Sequence, residues 1–144
     1  MSTTVEPEAF SQQTIFIETP KGSFVKRNEF QKIDFVSPIP SPFHYGRLSG
    51  FDGQDGDPLD AIWLGRITKE RQYCGKVVGV VRFVDNGAGD NKVLLSDRAL
   101  TPNQVQQLKV FFQLYAICKN CLVLIGFHDK KSKLVDVEVF DLQE

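Results

Sequence analysis

The sequence predicts a mainly β (α+β) fold: a small closed β-barrel with one packed helix and a C-terminal hairpin. Three observations carry that expectation. Short apolar, β-branched runs recur along the chain, Gly- and Pro-containing turns separate them, and a single segment has a helical period. The length, 144 residues, is that of one domain. A domain of this size buries roughly two-thirds of the surface its unfolded chain exposes, so it needs no disulfide staples.

Residues 1–13 lack periodicity and read as a flexible N-terminal arm, leaving 14–144 as a single domain. Alternation over 14–18 puts Ile15 and Ile17 on one face of a half-buried strand. Extended segments around 24–27 and 32–36 follow. Residues 37–56 carry three prolines and four glycines with no regular period, and read as a long functional loop. The runs 61–67 and 76–84 are β-branched and read as central strands, with a shorter one at 92–95. The helix opens with Thr101 as N-cap, Pro102 at its first position and Gln104 completing a capping box. Val105, Leu108, Phe112 and Tyr115 then share one face. Two last strands, 122–128 and 133–140, form the expected hairpin. In the second, Val135, Val137 and Val139 alternate with Asp136 and Glu138, so one face is wet.

Composition excludes several classes. Seventeen basic and eighteen acidic residues give a net charge of −1, which argues against nucleic acid or a membrane surface as partner. The longest apolar stretch, 121–127, is far short of the ~20 residues that cross a bilayer. No basic-then-apolar leader opens the sequence, and a cytoplasmic location is expected. An odd number of cysteines suits a reducing compartment. Cys118 and Cys121 fall where the expected helix gives way to an apolar strand, so they read as structural rather than as a redox or zinc pair. His44 reads as a hydrogen-bonding residue rather than a ligand.

The chemistry concentrates in two acidic stretches. Asp52, Asp55, Asp57 and Asp60 fall within nine residues that hold no base, and Asp85 and Asp90 follow a predicted strand. Either stretch alone is an ordinary solvated turn. If the strand ends are neighbours, Asp55, Asp60, Asp85 and Asp90 share one space. Each like-charged pair at ~5 Å then costs about 3 kcal/mol at an effective dielectric of ~20. Six pairs total of order 10–20 kcal/mol, comparable to a domain's whole stability. Oxygen-only donors point to a hard divalent cation such as Mg²⁺, Mn²⁺ or Ca²⁺. An EF-hand is excluded, because counting from Asp55 its fifth position is Leu59 and its twelfth is Arg66. Lys21, Lys26, Arg27, Lys92 and Lys119 lie in or beside the segments that would line such a site, a layout suited to a phosphate-bearing substrate.

The ordered run Asp55-Gly56-Asp57-Pro58-Leu59-Asp60-Ala61 resembles the signature of soluble family I inorganic pyrophosphatases. Ile17-Glu18-Thr19-Pro20-Lys21-Gly22-Ser23, Pro42-Phe43-His44-Tyr45-Gly46, the acidic loop 85–92, and Phe111, Phe112 and Tyr115 match in the same order, covering about residues 14–128. The resemblance implies a five-stranded OB-like barrel that hydrolyses pyrophosphate, or a related phosphoanhydride, to phosphate with Mg²⁺, Mn²⁺ being a possible substitute. It implies Asp55, Asp60, Asp85 and Asp90 as metal ligands and Asp57 as the group that orients or deprotonates water. The same resemblance places Glu18 in the outer acidic shell and implies that Lys26, Tyr45, Lys92 and Tyr115 bind phosphate oxygens. A homo-oligomer is expected.

The match departs from the family pattern at Asn28, Ser41, His44, Asn86 and Ala116, and at a phosphate-binding arginine expected near 33–35. Lys119, one turn beyond Ala116, is the candidate replacement for the family's lysine. The alternative reading is a pyrophosphatase-like protein with weak or no turnover that binds metal and a phosphate-bearing ligand.

Overall fold

The computed structural model describes residues 6–23, 25–27, 33–36, 40–52, 58–124 and 131–143. These residues contain β1 (Gln12–Thr19), β2 (Val25–Arg27), β3 (Ile33–Val36), β4 (His44–Asp52), β5 (Pro58–Trp63) and β6 (Gln72–Asp85). They are followed by β7 (Ala88–Gly89), β8 (Lys92–Ser96), α1 (Pro102–Leu124) and β9 (Lys133–Val139). Strands β1, β4, β5, β8 and β6 pair in that order, and β6 returns to β1, which closes a five-stranded barrel. All these pairings are antiparallel except β5 with β8. Strands β7 and β9 extend the sheet from β6, and β2 pairs with β3 in a separate two-stranded sheet.

Alternation along the strands divides the apolar residues into two layers. Ile15, Ile17, Leu48, Leu59, Ala61, Val77, Val93 and Leu95 fill the barrel, with Trp63 stacked on Tyr73 at 4.9 Å. Ile62, Val81, Phe83 and Leu94 form an outer layer that Leu108, Phe112 and Ala116 of α1 cover. Each large side chain buried this way contributes about 1.5–3 kcal/mol. The helix begins as the capping box requires. Gln104 N donates to Thr101 Oγ1 at 3.1 Å, and Thr101 N donates to Gln104 Oε1 at 2.9 Å. Gln104 Nε2 also donates to the Leu64 carbonyl at 2.8 Å, fastening the helix start to the barrel.

Three local expectations are corrected. First, the segment expected to be loop throughout 37–56 contains β4, a barrel strand pairing with both β1 and β5. Its hydrophobic alternation is masked by Gly46. A Cβ there would run into the Phe16 carbonyl of β1, so close approach of the two backbones demands glycine. Second, residues 122–124 continue α1 rather than opening a strand, and the rest of that expected strand lies outside the described residues. Strand β9 pairs antiparallel with β6. Third, Val135 does not share the buried face of Val137. The register slips beside it, between Arg82↔Asp136 and Phe83↔Leu134, and leaves it exposed.

Residues 6–13, within the expected arm, lie along β6. Phe10 N donates to the Val77 carbonyl at 2.8 Å and Val77 N to the Ser11 carbonyl at 3.0 Å, while Glu6 accepts from Asn91 Nδ2 at 3.0 Å. All three cysteines are free thiols.

Candidate active site

The outer face of the barrel, beside α1, collects the polar side chains. On β4, Leu48 points into the barrel, so Tyr45 and Arg47 point out. Register sets Asp60 of β5 directly opposite Arg47. On β8, Lys92 lies two residues before the outer-layer Leu94 and shares its face. The strands therefore deliver Tyr45, Asp60 and Lys92 to one place.

Lys92 is at the centre. Its Nζ donates to Asp60 Oδ2 at 3.0 Å and pairs with Asp90 Oδ2 at 2.6 Å. Tyr45 donates its hydroxyl to the same Asp60 oxygen at 2.7 Å. The Lys92 ammonium also lies 5.7 Å from the Tyr45 ring centroid. Burial opposes the charge on Lys92, but Asp60 and Asp90 outweigh it and hold the ammonium above its ordinary range. Burial likewise raises Asp90, with Lys92 pulling the other way and Asp60 adding to the rise. Tyr45 and Tyr115 are pushed up, first by burial and then by the neighbouring carboxylates, although Lys92 opposes the rise at Tyr115. Both phenols stay protonated at neutral pH and remain hydrogen-bond donors.

Asp85 ends β6, where a tight hairpin turns through Asn86 and Gly87 at φ of 51° and 82°. Asn-Gly suits that left-handed pair of positions, which gives Asn86 a structural reason for its place. A clamp from the residue just before β9 and from α1 holds the carboxylate. Ser132 donates its hydroxyl to Asp85 Oδ1 at 3.1 Å and accepts from Asn86 N at 2.9 Å. Asn120 fixes Ser132 in turn, accepting from its N–H at 2.7 Å and donating to its carbonyl at 3.0 Å. Lys119 reaches Asp85 Oδ2 at 3.5 Å and sits 5.4 Å from the Tyr115 ring centroid.

On the opposite flank Glu18 of β1 pairs with Arg47 at 3.8 Å, and the guanidinium lies 5.3 Å from the Phe16 ring centroid. Behind this wall, His44 is buried and accepts from Lys21 N at 2.8 Å on Nδ1. Burial and then Lys21 lower its pKa, so it serves as a neutral acceptor that holds the turn after β1.

Of the residues expected from the sequence, Tyr45, Asp60, Asp85, Asp90, Lys92, Tyr115 and Lys119 converge on this face, with Glu18 at its edge. Lys26 lies in β2, and Asp55 and Asp57 lie outside the described residues. Sequence reasoning missed Arg47, Ser132 and Asn120. Once Tyr45 is assigned to the site, period-two alternation marks Arg47; long-range packing alone brings in Ser132 and Asn120.

Among the described residues no three acidic, His or Cys side chains form a ready metal cluster. Asp60 and Asp90 are instead bridged by an ammonium. The donor set is oxygen-only and rich in carboxylate, which fits a hard divalent cation. Among the described residues, four carboxylates (Glu18, Asp60, Asp85, Asp90) stand beside three cations (Arg47, Lys92, Lys119), and a bound divalent cation would reduce the negative balance that meets a phosphate anion.

The family model described as inorganic pyrophosphatase matches residues 15–137. The chain belongs to the inorganic pyrophosphatase family. It is 31% identical over 93 residues to the inorganic pyrophosphatase of Corynebacterium glutamicum, a match covering 56% of each chain. To that of Sulfolobus acidocaldarius it is 28% identical over 129 residues, covering 81% of this chain and 73% of the relative. The matched segment thus spans little more than half of the Corynebacterium protein's length. The fold is similar to the crystal structure of inorganic pyrophosphatase from Thermus thermophilus, with a TM-score of 0.71 at 24% identity, covering 96% of this chain and 88% of that one. An inorganic pyrophosphatase from Coxiella burnetii aligns with a TM-score of 0.69 at 20% identity, covering 92% and 88%. Membership of this family implies use of a divalent cation, and no described helix is long and apolar enough to cross a membrane.

Proposed function

We propose that the chain is an inorganic diphosphatase that hydrolyses pyrophosphate to two phosphates with Mg²⁺, in the cytoplasm and as a homo-oligomer. The observation that carries this reading is the buried Lys92 joining Asp60 to Asp90, with Asp85 electrostatically coupled to Asp90 on the same face, in a chain of this family. Asp60, Asp85 and Asp90, joined by Asp55, supply the oxygen ligands, and Glu18 shapes the acidic edge. A divalent ion held there would supply a lowered pKa for water and neutralisation of the charge that builds on the leaving phosphate. The water oxygen forms a bond to one phosphorus as the bridging P–O bond breaks, and Asp57 takes the water's proton. Lys26, Lys92, Lys119, Tyr45 and Tyr115 donate to phosphate oxygens. Each charge-assisted bond contributes about 1.5–3 kcal/mol.

Lys119 supports the reading in particular. Its placement against Asp85 and Tyr115 restores a cation to the α1 side of the site, which Ala116 lacks.

The test is phosphate release from pyrophosphate with Mg²⁺, with Mn²⁺ and with chelator, repeated for Asp57→Asn. Metal-dependent release that falls sharply in the variant is expected. Absence of metal-dependent release overturns the proposed activity, and unchanged release in the variant overturns the role of Asp57 alone.

A further inference from the structure

We propose that Arg47 is a substrate-binding residue, donating from its guanidinium to a phosphate oxygen on the flank of the site opposite Lys119. The inference rests on the phosphoanhydride-cleaving role proposed for this face.

Position supports it first. Arg47 lies directly across the β4–β5 ladder from Asp60, the carboxylate that already holds Tyr45 and Lys92. Side chains at facing positions of an antiparallel pair emerge on the same side, within about 4.5–5.5 Å at Cβ. Tyr45, two residues earlier on the same strand, shares that side. Arg47 therefore belongs to the wall that carries the central lysine, although nothing in its immediate sequence motif singles it out.

Its restraints suit a ligand-binding arginine. Two groups set its orientation: the Phe16 ring at 5.3 Å and Glu18 Oε2 at 3.8 Å. The ion-pair distance exceeds that of a direct hydrogen bond, so Glu18 fixes the guanidinium's direction without saturating its fork of five N–H donors. The side chain keeps 23% of its exposure, against 3% for Lys92, so it is held by the wall yet open to an anion. A planar guanidinium matches two phosphate oxygens at once, as an ammonium does not.

Charge order across the face agrees. Lys119 with Asp85, Lys92 with Asp90 and Asp60, and Arg47 with Glu18 alternate from α1 to β1. An anion with two phosphate groups has a cation for its centre and one for each end. Arg47 takes the end farther from the helix.

The experiment compares Arg47→Ala and Arg47→Lys with the parent chain, and repeats Arg47→Ala in a Glu18→Gln background. Steady-state phosphate release from pyrophosphate is measured, together with calorimetric binding of imidodiphosphate, a non-cleaved analogue, in the presence of Mg²⁺. Arg47→Ala is expected to raise KM and to weaken imidodiphosphate binding, each by roughly 10- to 100-fold, the loss of one charge-assisted bond. Arg47→Lys recovers part of the loss, the melting temperature stays near that of the parent, and the effect persists beside Glu18→Gln. A change under twofold in both KM and binding overturns the proposal. So does an effect that disappears in the Glu18→Gln background, because Arg47 then serves only to neutralise Glu18. A parent chain that binds imidodiphosphate through Arg47 but cleaves no pyrophosphate overturns the proposed activity and leaves the Arg47 assignment standing.

Discussion

Lys92→Met keeps most of the side chain's apolar volume and removes the charge that joins Asp60 to Asp90. The ammonium is nearly inaccessible, with its side chain 3% exposed. Removing one partner of a buried ion pair costs about 3–5 kcal/mol, because the remaining charge stays desolvated. Asp60 and Asp90 retain 17% and 27% exposure, so water recovers part of that penalty and the lower end applies, about 3 kcal/mol. For a chain of this length, that corresponds to a fall in melting temperature of roughly 6–12 °C. Thermal unfolding followed by circular dichroism in chelator at neutral pH measures it. Burial already raises the Asp90 pKa in the parent. Without Lys92 the carboxylate takes a proton more readily in the folded state, so lowering the pH toward 5 shrinks the deficit relative to the parent. Saturating Mg²⁺ shrinks it too. A fall under about 2 °C in chelator, or a deficit that ignores both pH and Mg²⁺, refutes the central role of Lys92.

Gly46→Ala drives a Cβ into the Phe16 carbonyl and is expected to destabilise by roughly 3 kcal/mol or more, read from the urea midpoint. Ser132→Ala removes the hydroxyl between Asp85 and Asn86; a loss of about 1–2 kcal/mol is expected, with weaker Mg²⁺ binding by calorimetry. Alkaline stability of the metal-free chain follows from Lys92, Tyr45 and Tyr115, whose folded pKa values are all raised. Their stabilising contribution is complete below the unfolded values, about 10 to 10.4, and is lost as pH rises toward the folded ones, because the unfolded chain then binds fewer protons. Urea midpoints taken across that range fall less steeply in Tyr115→Phe than in the parent.

The closed barrel with one packed helix was legible in β-branched runs such as 76–84 and in the capping box at Thr101, because those signals are local. Strand β4 was not. Its inward side includes His44 and Gly46, chosen for a hydrogen bond and for backbone approach rather than for hydrophobicity, so no alternation shows. The end of α1 was misread because the apolar run after Cys121 fits a helix or a strand equally, and no Gly or Pro stops it before Leu124. At the site, side-chain types and order pointed to Asp60, Asp85, Asp90 and Lys92. The pairings did not. That Lys92 bridges two carboxylates, and that Ser132 and Asn120 hold Asp85, depends on contacts across tens of residues. Arg47 lay between the two: its face follows from Tyr45, but only once β4 is known to be a strand.

Phosphorus NMR of pyrophosphate incubated with the chain and Mg²⁺ tests the account most directly, with Asp60→Asn and Asp90→Asn run alongside. With the parent chain the pyrophosphate signal is expected to convert to two equivalents of phosphate. The conversion is expected to slow by about 100-fold or more in either variant, the scale of losing one group that supports electrostatic stabilisation of the transition state. A pyrophosphate signal that persists with the parent chain, or conversion at the parent rate in both variants, contradicts the account.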